Sequence, residues 1–213
     1  MKIDYKSLRK VNPEAARLAV LEYLRAAGGN VTEVIAQVMQ NFWVAEPNPN
    51  NHIVRVFEWS KGFQKLRDKF AGSTGPLPKN LVSKAEEVYM ELSKSNDPQF
   101  LLHGDLHHDN VISATREPWL AIDPKGIIGP KERETAPMLM NPKGFILKHT
   151  NPKTLLRRRI AILSDVLGLE KDKIVAWGFA QTVLSAIWTL EDHSRVDEER
   201  LRIAEILNSM FVK

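Results

Sequence analysis

No cysteine occurs anywhere in the 213-residue chain, so a disulfide framework, a thiolate zinc site and a cysteine nucleophile are all excluded. Such a sequence fits a reducing compartment. Charge of one sign is scarce too: 30 basic against 26 acidic residues leave +4, spread along the chain, which makes no case for a nucleic-acid partner. The opening Met1-Lys2-Ile3-Asp4-Tyr5 lacks an apolar run, so no secretory signal is expected and a cytoplasmic location is the default. Internal repeats and low-complexity tracts are absent as well. What is present, 43% hydrophobic and 26% charged residues, is the balance of an ordinary folded domain long enough to bury a core.

One uncharged stretch, residues 174–190, tests that default. It is slightly short for a bilayer crossing, carries Gln181, Thr182, Ser185 and Thr189, and stands alone, so a helix buried inside a helical core is expected rather than a membrane span. The rest of the chain is mainly helical by pattern. Asn12-Pro13 opens a first helix with a good cap and a proline where no hydrogen bond is lost, Gly28-Gly29-Asn30 stops it, and Val31-Thr32 starts a second that runs to Phe42. Residues 46–51, rich in proline and asparagine, read as a linker. Amphipathic helices follow over residues 54–70 and 78–92. Between residues 99 and 123 short apolar runs divided by polar loops predict small strands or a hairpin. After a stretch rich in proline and glycine, three helices are expected over residues 152–167, 171–191 and 196–211.

The chemistry concentrates in Leu102-His103-Gly104-Asp105-Leu106-His107-His108-Asp109-Asn110-Val111, which holds three of the six histidines in a loop between apolar runs. Asp105 and Asn110 stand five apart, the spacing of the phosphoryl-transfer loop in which an aspartate accepts a hydroxyl proton and an asparagine holds Mg²⁺. Asp123, ending the apolar run Trp119-Leu120-Ala121-Ile122 and followed by Pro124-Lys125-Gly126, is the second carboxylate that could reach the metal. Two other readings stand beside this one. His103, Asp105, His107, His108 and Asp109 could form a metallohydrolase ligand set, although no second ligand-dense motif accompanies them. The histidines could also cap backbone groups of a polar turn, the reading preferred for His103 and His107 individually.

At these residues the chain resembles the aminoglycoside/hydroxyurea antibiotic-resistance kinases, the streptomycin 6-kinase-like branch of the aminoglycoside phosphotransferases. The resemblance runs in order through residues 35–43, Asp68-Lys69-Phe70 with Gly75-Pro76, residues 103–111 and 116–126, Asn141-Pro142 and residues 185–193. It implies a mainly α domain with small β-hairpins (α+β), equivalent to the large C-terminal lobe of a protein-kinase-like fold. It also implies transfer of the ATP γ-phosphate, with Mg²⁺, to a hydroxyl of an aminoglycoside or similar small polar compound. By this resemblance Asp105 is the catalytic aspartate, Asn110 and Asp123 hold Mg²⁺, and His103 and His108 support the catalytic loop. Glu191 and Asp192, past the last long helix, are candidate contacts to a cationic acceptor, or a solvated pair at a helix end.

The family's smaller, ATP-binding lobe is expected to be missing, because no glycine-rich phosphate loop and no lysine on a β-branched run precede residue 35. Residues 1–34 instead resemble the opening of a transposase-type helix-turn-helix, cut off where the kinase-like sequence over residues 35–213 begins. Three alternatives to an active kinase follow: a remnant that binds the acceptor without turnover, a half-kinase completed by another polypeptide, and a DNA-binding adaptor. An apolar surface where the small lobe would dock predicts self-association or a partner. Beyond Asp123, Glu134 and Asn141-Pro142 keep the family's pattern, but Pro137 intervenes and predicts local distortion if that segment is helical.

Overall fold

The computed structural model describes residues 30–45, 53–113 and 119–211. The expected N-terminal helix-turn-helix and the linker over residues 46–51 therefore lie outside the described residues, apart from the start of the second helix.

That helix, α1 (Val31–Phe42), begins where Asn30 accepts the Thr32 N–H at 3.1 Å, so the residue expected to stop the preceding helix caps this one. Its apolar stripe, Ile35, Ala36, Val38 and Met39, is buried. The helix expected over residues 54–70 divides at Ser60 into α2 (Val56–Trp59) and α3 (Lys61–Lys69). Helix α4 (Lys79–Ser93) follows and buries Leu81, Val82, Ala85 and Tyr89.

Five short strands form two small sheets. β1 (Val44–Ala45) pairs antiparallel with β2 (Phe100–Leu102), and β2 pairs antiparallel with β5 (Ile127–Gly129). A separate hairpin joins β3 (Val111–Ser113) to β4 (Trp119–Ala121). Two short helices, α5 (Lys131–Glu134) and α6 (Ala136–Met140), lead from β5 toward the C-terminal helices. Pro137 sits in the first turn of α6, where its missing N–H leaves no helical bond unmade, so the expected distortion reduces to the break at Thr135.

Helices α7 (Pro152–Leu167), α8 (Lys171–His193) and α9 (Glu198–Asn208) complete the chain. Asn151 accepts the Thr154 N–H at 3.0 Å and Gly168 closes α7 at φ +66°, the cap and stop that define that helix. Helix α8 is the axis of the domain: α3, α4, α5, α6, α7 and α9 all pack on it. By length and composition alone it could cross a bilayer, yet 14 of its 23 residues are buried against these neighbours. A Cβ on Gly178 would stand 2.5 Å from Leu139 Cδ1, so glycine lets α6 approach α8 closely. Trp177 packs edge-on against Tyr89 of α4, ring centres 5.2 Å apart. Among the described residues the large apolar side chains left exposed are Val54 and Phe57.

Candidate active site

The two small sheets end at one place. Pairing of Leu102 with Ile127 brings the residues after β2 against those before β5, and the Lys125 and Gly126 N–H groups both donate to the His103 carbonyl, at 2.8 and 3.2 Å. In the hairpin, Val111 lies opposite Ala121, and the Ile122 N–H donates to the Asn110 carbonyl at 2.9 Å. That register sets Asn110 beside Asp123 although thirteen residues separate them in the chain.

Asp105, Asn110 and Asp123 line one open cavity of about 440 Å³, together with His107, Asp109, Pro124 and Lys125. Three carboxylates face one ammonium there, so the cavity favours cations. Asn110 is buried; its amide nitrogen donates to the Asp105 carbonyl at 2.8 Å, which closes the loop and leaves its amide oxygen, an acceptor, to face a cation. Asp123 adopts a left-handed backbone, φ +57°, a strained state for a non-glycine residue that recurs at functional sites. Gly104, at φ +84°, has no room for a side chain: a Cβ would meet Ile127 at 3.1 Å and Lys125 at 3.3 Å.

The histidines hold the loop. His103 is buried, its Nδ1 accepts the Asp105 N–H at 3.3 Å, and its Nε2 therefore carries the proton donated to the Ile122 carbonyl at 2.9 Å. Burial holds its pKa below the usual histidine value, against the pull of Asp105 and Asp123. His107 Nδ1 likewise accepts the Asp109 N–H at 3.3 Å, with the Asp105 carboxylate 3.7 Å from Nε2. Burial lowers its pKa as well, so both imidazoles are neutral at pH 7. His108 is buried in the turn that leads into β3. The His103 and His107 imidazoles are committed to backbone, and the metallohydrolase arrangement is not formed: among the described residues no group of three histidine or carboxylate side chains gathers as a metal cage. A hard cation that keeps waters and phosphate oxygens needs less, and one carboxylate with one amide oxygen suits it.

Glu191 and Asp192 do not line this cavity. Glu191 borders a separate depression with Leu66, Asp68 and Leu190 and pairs with Lys65 at 3.6 Å, while Asp192 is exposed at the end of α8. Two contributors stand outside the expected site residues, Lys125 and Arg200. Lys125 lies inside a recognised motif and lines the cavity, as does Asp109, weighed above only as a metallohydrolase ligand. Arg200 of α9 is held mostly buried beside Asp197, and its charge bears on both Asp105 and His107. Nothing in the local sequence of α9 marks it, since its distance of 95 residues from Asp105 is bridged only by packing.

The sequence model of a family described as aminoglycoside/hydroxyurea antibiotic resistance kinase matches residues 14–193. The match begins within the segment likened above to a helix-turn-helix. Among similar proteins, streptomycin 6-kinase of Streptomyces glaucescens is 35% identical over 108 residues, 50% of this chain and 35% of the relative. Hydroxyurea phosphotransferase of Kitasatospora aureofaciens is 37% identical over 108 residues, 50% of this chain and 29% of the relative. Streptomycin 3''-kinase of Klebsiella pneumoniae is 36% identical over 150 residues, 68% of this chain and 52% of the relative. The chain thus spans from under a third to about half the length of these relatives.

Proposed function

The chain belongs to the aminoglycoside/hydroxyurea antibiotic resistance kinase family, and we propose from this that it corresponds to the large lobe of a protein-kinase-like fold and serves ATP-dependent phosphorylation of a hydroxyl on an aminoglycoside or similar small polar compound. The observation that carries this reading is the meeting of Asp105, Asn110 and Asp123 in one cavity.

In this reading the Asp105 carboxylate accepts the proton of the attacking hydroxyl and fixes its direction, because phosphoryl transfer depends on positioning and electrostatics more than on covalent help. The Asn110 amide oxygen and the Asp123 carboxylate are the residues that would hold Mg²⁺, which when bound neutralises charge on the nucleotide phosphates. His103 and His108 stiffen the loop rather than react. Arg200 tempers the concentration of negative charge around Asp105. Glu191 and Asp192 enter as outlying contacts for the rim of a large amino sugar, and a cytoplasmic setting belongs to the same reading.

The relatives' names supply the acceptors to test: streptomycin and hydroxyurea. The experiment is Mg·ATP-dependent phosphate transfer to these two compounds and a wider aminoglycoside panel, beside Asp105→Ala. Transfer that falls at least a hundredfold in the variant supports the reading. Transfer unchanged by the substitution contradicts it, and acceptor binding by calorimetry without any transfer identifies a binding remnant instead.

A further inference from the structure

Arg133 and Glu134 are consecutive, wholly buried, and turned toward the same few peptide groups. Glu134 Oε2 accepts the His103 N–H at 2.6 Å, Oε1 accepts the Gly104 N–H at 3.0 Å, and the Leu106 N–H also donates to this carboxylate. Arg133 Nη2 donates to the Gly104 carbonyl at 3.3 Å. Neighbouring side chains of α5 therefore hold both polar groups of Gly104, the residue before Asp105. The clamp is itself braced: the Arg133 guanidinium lies 4.9 Å from the centre of the Trp59 ring, and its charge bears on Tyr89, whose hydroxyl donates to the Val56 carbonyl at 3.2 Å.

A pair of buried charges is a poor way to add stability, because desolvation offsets most of the attraction and well-packed apolar residues serve as well or better. What a carboxylate adds is direction. Gly104 at φ +84° has the widest conformational choice of any residue in the loop, so the orientation of Asp105 needs restraint from outside. A carboxylate spanning two successive N–H groups and a guanidinium on the carbonyl that follows them supply it with charge-assisted bonds.

We propose that Arg133 and Glu134 form a two-sided clamp on the Gly104 peptide and act as positioning residues for Asp105. The catalytic part of this inference rests on the phosphotransfer reading above; the clamp itself does not. Burial pushes the Glu134 pKa up to about 7, against Arg133 and the three N–H donors, which pull it down. The other groups facing this corner are His103, held neutral in the loop, and Tyr89 from α4, kept protonated by burial. As pH rises through 7, ionisation of Glu134 turns its bonds to His103 and Gly104 into charge-assisted ones and the clamp tightens.

The test uses amide NMR spectra and hydrogen exchange on the full chain, with Glu134→Gln and, as the volume-keeping variant that also serves if the first fails to fold, Arg133→Met. A core substitution remote from the loop, Leu163→Ala, controls for general loss of stability. In the wild type the His103 and Gly104 amide signals shift with pH about a midpoint near 7, and Glu134→Gln abolishes that titration. The same variant speeds exchange at residues 103–106 at least tenfold more than the control does. Arg133→Met moves the Asp105 backbone nitrogen signal, which reports the hydrogen bond to the preceding carbonyl. Where turnover is measured, Glu134→Gln lowers kcat at least tenfold, with KM values for nucleotide and acceptor within threefold of wild type. Titration that persists in Glu134→Gln, loop exchange no faster than in the control, or an unmoved Asp105 nitrogen in Arg133→Met overturns the clamp. Absence of turnover in the wild type with the amide results as expected leaves the clamp standing and counts against the phosphotransfer reading alone.

Discussion

The surroundings of α8 and the loop around Asp105 are built by different means. Along α8, Trp177, Phe179, Val183, Leu184 and Ile187 are buried among apolar neighbours from six other helices; the buried polar side chains are Thr182, whose hydroxyl donates to the Gly178 carbonyl at 2.6 Å, and Gln181, whose Oε1 accepts no hydrogen bond among the described residues. Around Asp105 the loop of residues 103–110 buries one apolar side chain, Leu106, among polar ones. Each backbone group is held singly instead: His103 by Glu134, Lys125 and Gly126, Gly104 by Glu134 and Arg133, Asp105 by His103 and Asn110. Apolar burial is strong but has no direction, so it fixes the fold without fixing any one atom. The carboxylate proposed to react needs direction, and the polar loop holds its backbone by hydrogen bonds that are individually weak and collectively specific.

If that division is right, the two regions fail separately. The largest effect is expected from Trp177→Ala, which removes a side chain only 1% exposed and its contact with Tyr89. About 4 kcal/mol of unfolding free energy should disappear. Urea unfolding measures it, and nucleotide affinity of the remaining folded fraction should stay within threefold; a matching collapse in affinity would join what the comparison separates.

A smaller effect comes from Glu134, which belongs to both regions. Its folded pKa, about 7, exceeds its ordinary value of 4.5, so the folded state binds the proton more tightly than the unfolded chain does. Its stabilising contribution is full below pH 4.5 and is lost as pH rises to about 7, amounting to about 3 kcal/mol. Unfolding free energies of wild type and Glu134→Gln across pH 4.5–8 should therefore show wild type losing ground to the variant over that window. The titrations of His103 and His107 occur in both proteins and cancel in the difference. Stability would then fall as the clamp tightens, which sharpens the contrast between holding the fold and aiming the site.

The smallest effect concerns Asp123, exposed and strained at φ +57°. Asp123→Gly should raise stability by about 1 kcal/mol through relief of the left-handed backbone, while Mg-dependent nucleotide binding weakens at least tenfold. A loss of stability would mean that the carboxylate, not the chemistry, accounts for this conformation.

The same contrast governs how much could be read from residues alone. Helices α4, α7 and α8 were legible within a residue or two because apolar periodicity and local caps, such as Asn151-Pro152 and Gly168, specify them without reference to anything distant. The motif residues Asp105, Asn110 and Asp123 were legible because their spacing follows the loop and hairpin that carry them. Strand β5 and helices α5 and α6 were not, since elements of three to five residues have no period to detect and exist here because β2 and α8 pack against them. The break at Ser60 was missed for the reverse reason: the apolar pattern continues through it while the backbone does not. Glu134 was noted as part of a pattern, but its bonds reach back thirty residues and only the folded chain reveals them. Glu191 and Asp192 stand out by charge alone, and charge at a helix end carries no information about which cavity it serves.

The central claim, that the polar loop is a site for metal-dependent phosphoryl transfer, is tested most directly by titrating the labelled protein with Mn²⁺ and a nucleoside diphosphate and mapping paramagnetic broadening. The account predicts broadening centred on the Asn110 side-chain amide and the backbone of residues 122–124, dependent on nucleotide and abolished by Asp123→Ala. Broadening centred elsewhere, or unchanged in that variant, would contradict it.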